Sequence, residues 1–301
     1  MGFHVKTFRV LIIVILTTVM TALTVGCGTS ADSSGETASS ENNSDASGTT
    51  GLLEEIRERG EVVVGTEAVF EPFEFVEDGE IVGYGSDILA YVVEDLGVEL
   101  KQLDLPWQGI LPGLDSKRFD FVATAVSITP ERAATYAFTV PIADGTVAIL
   151  KRKDDDSIQE PADIAGKVVG SQLSSGQMQM LKQYNDELEA ATGEGVKELR
   201  EYVSYPEAYQ ELATGRIDAV ANSLANLSVV LQKQPDDFEV VGTFGDPMWF
   251  SWVVRKSDTD LLDYLNEKII ELKDSGELYK MQQKWFGFEM ETPNEDFLPQ
   301  E

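Results

Sequence analysis

The chain has 301 residues, of which 43% are hydrophobic, and its net charge is -30 because 53 acidic residues face 23 basic ones. This much apolar sequence is enough for one large domain or two modest ones. So large a negative charge repels nucleic acid and anionic lipid head groups, which excludes both as partner surfaces.

The N-terminal 51 residues predict export rather than folded structure. Residues 1–26 join a basic start to an apolar run, as in a secretory signal peptide. The segment LTVGC at 23–27 resembles a bacterial lipoprotein cleavage box, with leucine one place further upstream than usual. The resemblance implies cleavage before Cys27 and acylation of that residue; an uncleaved membrane anchor is the alternative. Residues 27–51 are polar and predict a disordered tether, so we expect an extracytoplasmic protein anchored by lipid to the outer face of the membrane.

Strands and helices alternate from residue 52 onward, which predicts an α/β fold. In the first half we expect a helix at 52–59, a strand at 61–66, a helix at 88–96 with Asp87 as its N-cap, a strand at 98–105, a helix at 107–114 and a strand at 121–126. The charged segment KRKDDD at 151–156 marks a boundary. Beyond it we expect strands at 168–171, 197–203, 216–221 and 238–241, helices at 177–184 and 206–214, an apolar run at 249–254, and closing helices at 261–275 and 277–286.

One stretch, 119–142, carries a candidate site. Its apolar strand leads to a helix for which Thr129 suits the N-cap and Pro130 the first position. Arg132 lies in the first turn, where the positive end of the helix dipole should repel it. It is either a solvated surface residue or part of a carboxylate site formed with the free N–H groups of that helix. This stretch alone leaves both interpretations open.

Histidine and cysteine are almost absent. The only histidine is His4 and the only cysteine is Cys27, so the rest of the chain lacks a histidine base, a thiol nucleophile and soft metal ligands. The sequence also contains no G-x-S-x-G motif, P-loop or G-x-G-x-x-G motif. The chain therefore lacks the residues that most hydrolases, phosphotransferases and dehydrogenases use in catalysis, and we expect no cofactor and no metal site.

Six segments together resemble one protein family. They are VVVGTEAVFEPFEF, IVGYGSDILAYVVEDLG, WQGILPGLDSKRFDFVATAVSITPER, DIAGKVVGSQL, YPEAYQELATGRIDAV and ELKDSGELYKMQQKWFG. In order and spacing they resemble the extracytoplasmic solute-binding proteins of amino-acid ABC transporters (family 3, type II periplasmic binding fold). The resemblance implies a two-lobed α/β fold with a two-strand hinge, lobe 1 at 52–147 and 246–301, and lobe 2 at 148–245. It also implies an amino acid or derivative as ligand, an ABC permease as partner, a monomer and no enzymatic activity.

The resemblance assigns ligand contacts to named positions. Arg132 matches the arginine that binds the ligand's carboxylate, and Ser127 and the backbone of Ala125 match contacts to its carboxylate and ammonium groups. The family usually has glycine or serine where this chain has Ala125. Ser175 and Gly176, at the start of a lobe 2 helix, would add N–H groups to the same carboxylate when the cleft closes. Ordinary capping by Ser175 is compatible with that role.

The remaining contacts include one departure from the family. Phe70 and Trp107 match pocket aromatics, with a place in the core as the alternative. Ser223 stands where an aspartate normally binds the ammonium group, and a hydroxyl offers no charge. We therefore expect Glu67 to carry much of that recognition, the alternative being that it points to solvent. This pairing resembles the opine-binding branch as well as some ordinary amino-acid binders.

Two other functions remain open from the sequence. Some relatives of the fold are enzymes, and Glu67 is the candidate general acid for a dehydratase-like reaction. A signalling receptor that reports to a separate membrane sensor is the other. The intact Arg132 motif and the closing helices favour transport.

Overall fold

The computed structural model of the protein describes residues 51–299. The predicted signal peptide, the predicted lipidation site at Cys27 and nearly all of the predicted tether lie outside these residues. Within them, no helix combines the length and the apolar character needed to cross a membrane.

Helices and strands alternate along the described residues, as the sequence predicts. The helices are α1 (Leu52–Arg59), α2 (Tyr84–Leu96), α3 (Ile110–Asp115), α4 (Pro130–Thr135), α5 (Gly176–Thr192), α6 (Tyr205–Ala213), α7 (Leu224–Lys233), α8 (Thr259–Asp274) and α9 (Glu277–Phe286), with 3₁₀ turns at Trp107–Gly109 and Pro161–Ile164. The strands are β1 (Glu61–Thr66), β2 (Val69–Phe70), β3 (Glu74–Glu77), β4 (Glu80–Val82), β5 (Glu99–Asp104), β6 (Phe121–Ser127), β7 (Tyr136–Phe138), β8 (Ala143–Asp144), β9 (Val147–Arg152), β10 (Val168–Gln172), β11 (Glu198–Tyr202), β12 (Ala219–Ser223), β13 (Phe238–Phe244) and β14 (Trp249–Arg255).

Two separate sheets define two lobes. The sheet of lobe 1 has the order β5-β1-β6-β14-β7, with β8 also paired to β14, and that of lobe 2 has the order β11-β10-β12-β9-β13. In each sheet three neighbouring strands are parallel, so their carboxyl ends share one edge. Every residue of β6 is buried, which is typical of a central strand covered on both faces. The carboxyl edges are where ligands bind in sheets of this kind.

Two chain crossings connect the lobes. The chain leaves the lobe 1 sheet at β8 and enters the lobe 2 sheet at β9, which pairs with β12 and β13. It returns between β13 and β14, and β14 pairs with β6 in lobe 1. The predicted fold class, a two-lobed α/β fold with a two-strand hinge, is confirmed.

Local signals predicted the start of one helix correctly and that of another wrongly. Helix α4 begins at Pro130 as predicted, and the Thr129 side chain accepts the N–H of Arg132 at 3.3 Å. Helix α2 begins at Tyr84, three residues before the predicted N-cap Asp87. The Asp87 carboxylate instead accepts from Lys284 Nζ at 2.7 Å and Trp285 Nε1 at 2.6 Å, so a contact with α9 replaces the predicted cap.

Candidate functional site

Four of the predicted contacts lie at the carboxyl ends of strands. Glu67 follows β1 and Ser127 ends β6 in lobe 1, while Ser223 ends β12 in lobe 2. Ala125 lies two residues before the end of β6. The two lobes bring these ends to opposite sides of one cleft, and several hydrogen bonds connect the sides. The other predicted residues lie on the loops and helices that follow the strands.

Arg132 binds both sides of the cleft. Its Nη1 donates to the carbonyl of Ser127 at 2.9 Å and its Nη2 to the carbonyl of Ser174 at 2.9 Å. The guanidinium lies over the Trp107 ring, 5.0 Å from the ring centroid, in a cation–π contact. Burial lowers the pKa of Arg132 to about 10, so the group stays charged at neutral pH. Within residues 51–299 no carboxylate lies within 4.0 Å of it.

The start of α5 lies directly against lobe 1. The Ser175 side chain caps the helix by accepting the N–H of Met178 at 3.0 Å. Gly176, the first helical residue, packs so closely on Ser127 that a β-carbon there would overlap the serine side chain. Trp107 Nε1 donates to the Ser174 carbonyl at 3.1 Å. The N-terminal N–H groups of α5 therefore lie beside Arg132 and Ser127, as a shared carboxylate site requires.

Glu67 is buried in the cleft rather than directed to solvent. Only 3% of the residue is exposed, and Gln172 Nε2 of lobe 2 donates to its Oε1 at 2.5 Å. Burial raises the pKa of Glu67 to about 7. The hydrogen bond from Gln172 and the backbone N–H of Trp107 oppose this rise, and the nearby Asp104 adds to it. No lysine or arginine of the described residues forms an ion pair with Glu67.

The two predicted pocket aromatics belong both to the core and to cavity walls. Phe70 packs against Phe73 and Phe250 of lobe 1 and against Tyr205 of lobe 2, with 5.6 Å between the Phe70 and Tyr205 ring centroids. It also lines a cavity of about 440 Å³ between the lobes. Trp107 packs in a second lobe 1 core cluster and lines a cavity of about 590 Å³ together with Arg132. The core and pocket interpretations are therefore compatible.

Ser223 uses its side chain within lobe 2. It caps α7 by accepting the N–H of Asn226 at 3.1 Å, and its hydroxyl donates to the Asn226 side-chain oxygen. Asn226 in turn donates to the Glu71 carbonyl of lobe 1 at 2.7 Å. The single O–H donor of Ser223 and one of its two acceptor sites are thus already in use.

The chain that forms this cleft, with Arg132 and Glu67 in lobe 1 and the start of α5 in lobe 2, also matches a family profile by its sequence. Residues 62–288 match the profile of the bacterial extracellular solute-binding proteins, family 3. The chain belongs to this family. The match covers well over half of the chain and includes both lobes, so the family predicted from the six segments is confirmed.

Individual relatives agree with the family assignment. The L-cystine-binding protein TcyJ of Escherichia coli K12 is 35% identical over 79% of this chain and 86% of its own length. The arginine-bound form of truncated ArgBP from T. maritima is 34% identical, with a TM-score of 0.66 over 73% of this chain and 99% of that one. An ancestral amino-acid-binding protein, AncCDT-1, described as a precursor of cyclohexadienyl dehydratase, is 28% identical, with a TM-score of 0.69 over 79% of this chain and 100% of that one.

Some cleft residues of this solute-binding protein are not predicted from the sequence. Gln172 contacts Glu67, the Tyr205 ring packs at a tilt against Phe70, and Asn226 connects Ser223 to lobe 1. Gln172 directly follows the strand predicted at 168–171 and is the last residue of the observed β10, and the end of a parallel strand is a position that indicates a ligand site. The contacts of Tyr205 and Asn226 depend on how the lobes meet, which no local pattern reports.

Proposed function

We propose that this family 3 protein captures an amino acid or a close derivative between its lobes and delivers it to an ABC permease. The observation that supports this is a pair of opposite charges without ion-pair partners in the described residues: the Arg132 guanidinium and the buried carboxyl of Glu67. A free amino acid carries the complementary carboxylate and ammonium groups. The names of the relatives, which bind L-cystine or arginine, support the same class of ligand.

The proposed contacts follow from the geometry of each group. A ligand carboxylate would replace the Ser174 carbonyl as the partner of Arg132, because a charged acceptor binds a guanidinium more strongly than a neutral one. Ser127 and the N–H of Gly176 lie beside that position and would bind the same carboxylate. The N–H of Ser175 donates to the Gln172 carbonyl at 3.2 Å and would exchange that acceptor for the ligand. The Ala125 backbone and Glu67 would bind the ammonium group.

Three further residues would complete the site. Phe70 and Trp107 would flank the ligand's side chain. Ser223, at the end of β12, would lie beside the ammonium group but carries no charge itself. Since Ser223 is neutral, Glu67 would be the main carboxyl available to that group. A secondary amine, as in an opine, is therefore included in the ligand class.

The proposed mechanism is a population shift between open and closed lobes. A ligand that contacts residues of both lobes stabilises the closed form, and the permease recognises that form. The moving units in this proposal are lobe 1 at 52–147 and 246–301 and lobe 2 at 148–245. The protein acts as a monomer, exported by residues 1–26 and held to the membrane by lipid on Cys27, with residues 27–51 as the tether.

A thermal-shift panel tests the proposal. The purified protein is heated with each standard amino acid, L-cystine, opines and betaines, because a ligand that binds only the folded state raises Tm. We expect at least one amino acid or derivative to raise Tm. The Arg132→Lys variant should lose about tenfold or more in affinity for that ligand, since lysine lacks the planar two-pronged donor.

A matched control separates the site from general effects of charge. Arg118→Lys changes an exposed arginine of lobe 1 and should leave affinity unchanged. A panel in which no amino acid or derivative binds would contradict the proposal. Unchanged affinity in Arg132→Lys would contradict the site.

A dehydratase-like enzyme is the second candidate, because a buried carboxyl whose pKa lies near 7 suits a general acid. The likeness to AncCDT-1 supports keeping this candidate. Turnover of a ligand found in the panel, instead of stoichiometric binding, would favour the enzyme.

A further inference from the structure

A second carboxyl, that of Glu74, lies buried beneath the cleft in lobe 1. Glu74 begins β3 and has no exposed surface, whereas the other three residues of that strand are exposed or half-buried. No lysine or arginine of residues 51–299 forms an ion pair with it. Burying a carboxyl without a cation destabilises a fold, so its place in the core calls for a physical reason.

The contacts of Glu74 are with the strand that carries the proposed ligand contacts. The Thr124 hydroxyl donates to Glu74 Oε2 at 2.7 Å, and the backbone N–H of Ala125 lies near the carboxyl and acts to lower its pKa. Thr124 and Ala125 are consecutive residues of β6, and Ser127 follows two residues later. The side chain of Glu74 therefore fixes the segment of β6 whose backbone would face the ligand's ammonium group.

Helix α2 packs against the Glu74 carboxyl on the side away from β6. Gly85 lies so close to Glu74 Oε1 that a β-carbon at that position would overlap the oxygen. Oε1 is fully buried and has no hydrogen-bond partner within the described residues. Gly85 is the second residue of α2, and its missing side chain leaves the space that the Glu74 carboxyl occupies.

We infer that Glu74 is a positioning residue of the ligand site, which holds the Thr124–Ala125 segment in place and whose ionisation strengthens binding of the ligand's ammonium group. This inference rests on the proposed amino-acid ligand. Glu74 acts through Ala125 and through the field in the cleft, without touching the ligand. It supplies negative charge on the lobe 1 side, opposite the neutral Ser223.

The electrostatic surroundings of Glu74 agree with this role. Burial raises the pKa of Glu74 to about 8, the Thr124 and Ala125 donors oppose the rise, and the charge of Glu67 adds to it. Glu67 is the charged group that acts on Glu74, and burial raises the pKa of both carboxyls. From α2, the neighbouring Tyr84 stays neutral, because burial raises its pKa far above the usual range. A ligand ammonium group would favour the ionised forms of both carboxyls.

The test compares Glu74→Gln with Glu77→Gln, the same substitution at an exposed position of the same strand. Glutamine keeps an acceptor for Thr124 and Ala125 but cannot ionise. Calorimetric titration with the strongest ligand of the panel should show equal affinity for wild type and Glu74→Gln near pH 6, where Glu74 is neutral in both. Near pH 8.5 the variant should bind about threefold or more weakly, because it lacks the buried charge.

Thermal stability provides a second readout that needs no ligand. Between about pH 4.5 and 8 the folded protein holds a proton on Glu74 that the unfolded chain has lost, so stability falls as pH rises through this window. Glu74→Gln removes this loss. Its Tm should therefore exceed that of wild type near pH 8, and the difference in Tm should be smaller near pH 5. Glu77→Gln should change neither Tm nor affinity.

Variants of Thr124 address the case in which Glu74→Gln does not fold. Thr124→Val removes a donor that stabilises the ionised carboxyl, so the rise in affinity should move to higher pH, and Thr124→Ser should restore it. A Glu74→Gln variant that folds and binds like wild type at every pH would overturn the inference, as would parallel losses at all pH values. Failure of wild type to bind any amino acid would instead refute the proposed function, and the inference with it.

Discussion

At the scale of single residues, the cleft contains a guanidinium, that of Arg132, and a carboxyl, that of Glu67, whose charges respond differently to pH. Arg132 keeps its charge at neutral pH although burial lowers its pKa to about 10. Glu67 is half ionised near pH 7, because burial outweighs the Gln172 hydrogen bond. The carboxylate end of an amino acid would therefore meet a permanent charge, and the ammonium end would meet a charge that depends on pH.

The affinity for an amino acid should therefore depend on pH through Glu67. A bound ammonium group favours the ionised carboxyl and lowers its pKa, so binding releases a proton when Glu67 is neutral beforehand. Affinity should fall as pH falls from about 7.5 to about 5.5. Below the pKa of Glu67 in the ligand-free protein, the fall should reach up to about tenfold per pH unit. Titration calorimetry in two buffers of different ionisation enthalpy measures the proton release directly.

The control for this prediction is Glu67→Gln, which keeps an acceptor for Gln172 and removes the charge. Its affinity should be lower at pH 7.5 and nearly independent of pH between about 5.5 and 7.5. If wild type shows constant affinity over that range, or if the glutamine variant keeps the same slope, Glu67 does not bind the ammonium group.

At the scale of secondary-structure elements, the start of α5 is the point where lobe 2 meets the ligand strand of lobe 1. Gly176 contacts Ser127 with no room for a β-carbon, whereas Gly109, in the turn after Trp107, has open space at the same position. Neither glycine has a left-handed backbone, so alanine fits both conformations. The closeness of Gly176 therefore matters only when the lobes are closed.

Gly176→Ala should weaken ligand binding without destabilising the separate lobes. The added methyl group opposes closure by about 1–3 kcal/mol, the usual cost of overpacking, which corresponds to about fivefold to a hundredfold in affinity. The Tm without ligand should stay close to that of wild type. Calorimetric titration measures the loss, with Gly109→Ala as the matched substitution. Equal affinities in Gly176→Ala and wild type would show that binding does not require this contact.

The same elements show what the sequence could and could not predict. Helix α4 was predicted correctly because Thr129 and Pro130 are local signals that act within one turn. Helix α2 was predicted too short, since its first turn is fixed by distant contacts: Tyr84 donates to the Ile142 carbonyl at 2.6 Å and Gly85 accommodates Glu74. Helix α7 was not predicted at all, although Ser223 caps it.

The candidate site divides in the same way. The strand pattern and the family resemblance predict that Glu67, Ser127 and Arg132 lie in one cleft, which is where the structure has them. The buried carboxyl of Glu74 was missed, because it lies between the two phenylalanines of EPFEF, in a segment that the pattern predicts only as a loop. Its burial depends on Thr124 and Gly85, far away along the chain.

At the scale of the whole molecule, contacts outside the proposed ligand site also connect the lobes. Lys233 on α7 of lobe 2 forms an ion pair with Glu71 of lobe 1 at 2.5 Å, beside the Asn226 bond to the Glu71 carbonyl. Glu71, Asn226 and Lys233 all line the cavity of about 440 Å³ between the lobes, which Phe70 also lines. Contacts between the lobes stabilise the closed arrangement, so they shift the closing equilibrium whatever ligand is bound.

Lys233→Met should weaken the binding of every ligand by the same modest factor. Both side chains of the pair are partly exposed, so the contact contributes up to about 1 kcal/mol, or about fivefold in affinity. The loss should shrink in high salt, which screens exposed charges. Lys280→Met removes a similar exposed pair with Glu277 inside α9 of lobe 1 and should leave affinity unchanged. Calorimetric titration of both variants at low and high salt checks this. A loss in Lys233→Met that differs between ligands would place Lys233 in the ligand site, and equal losses in both variants would mean that the charge acts at long range.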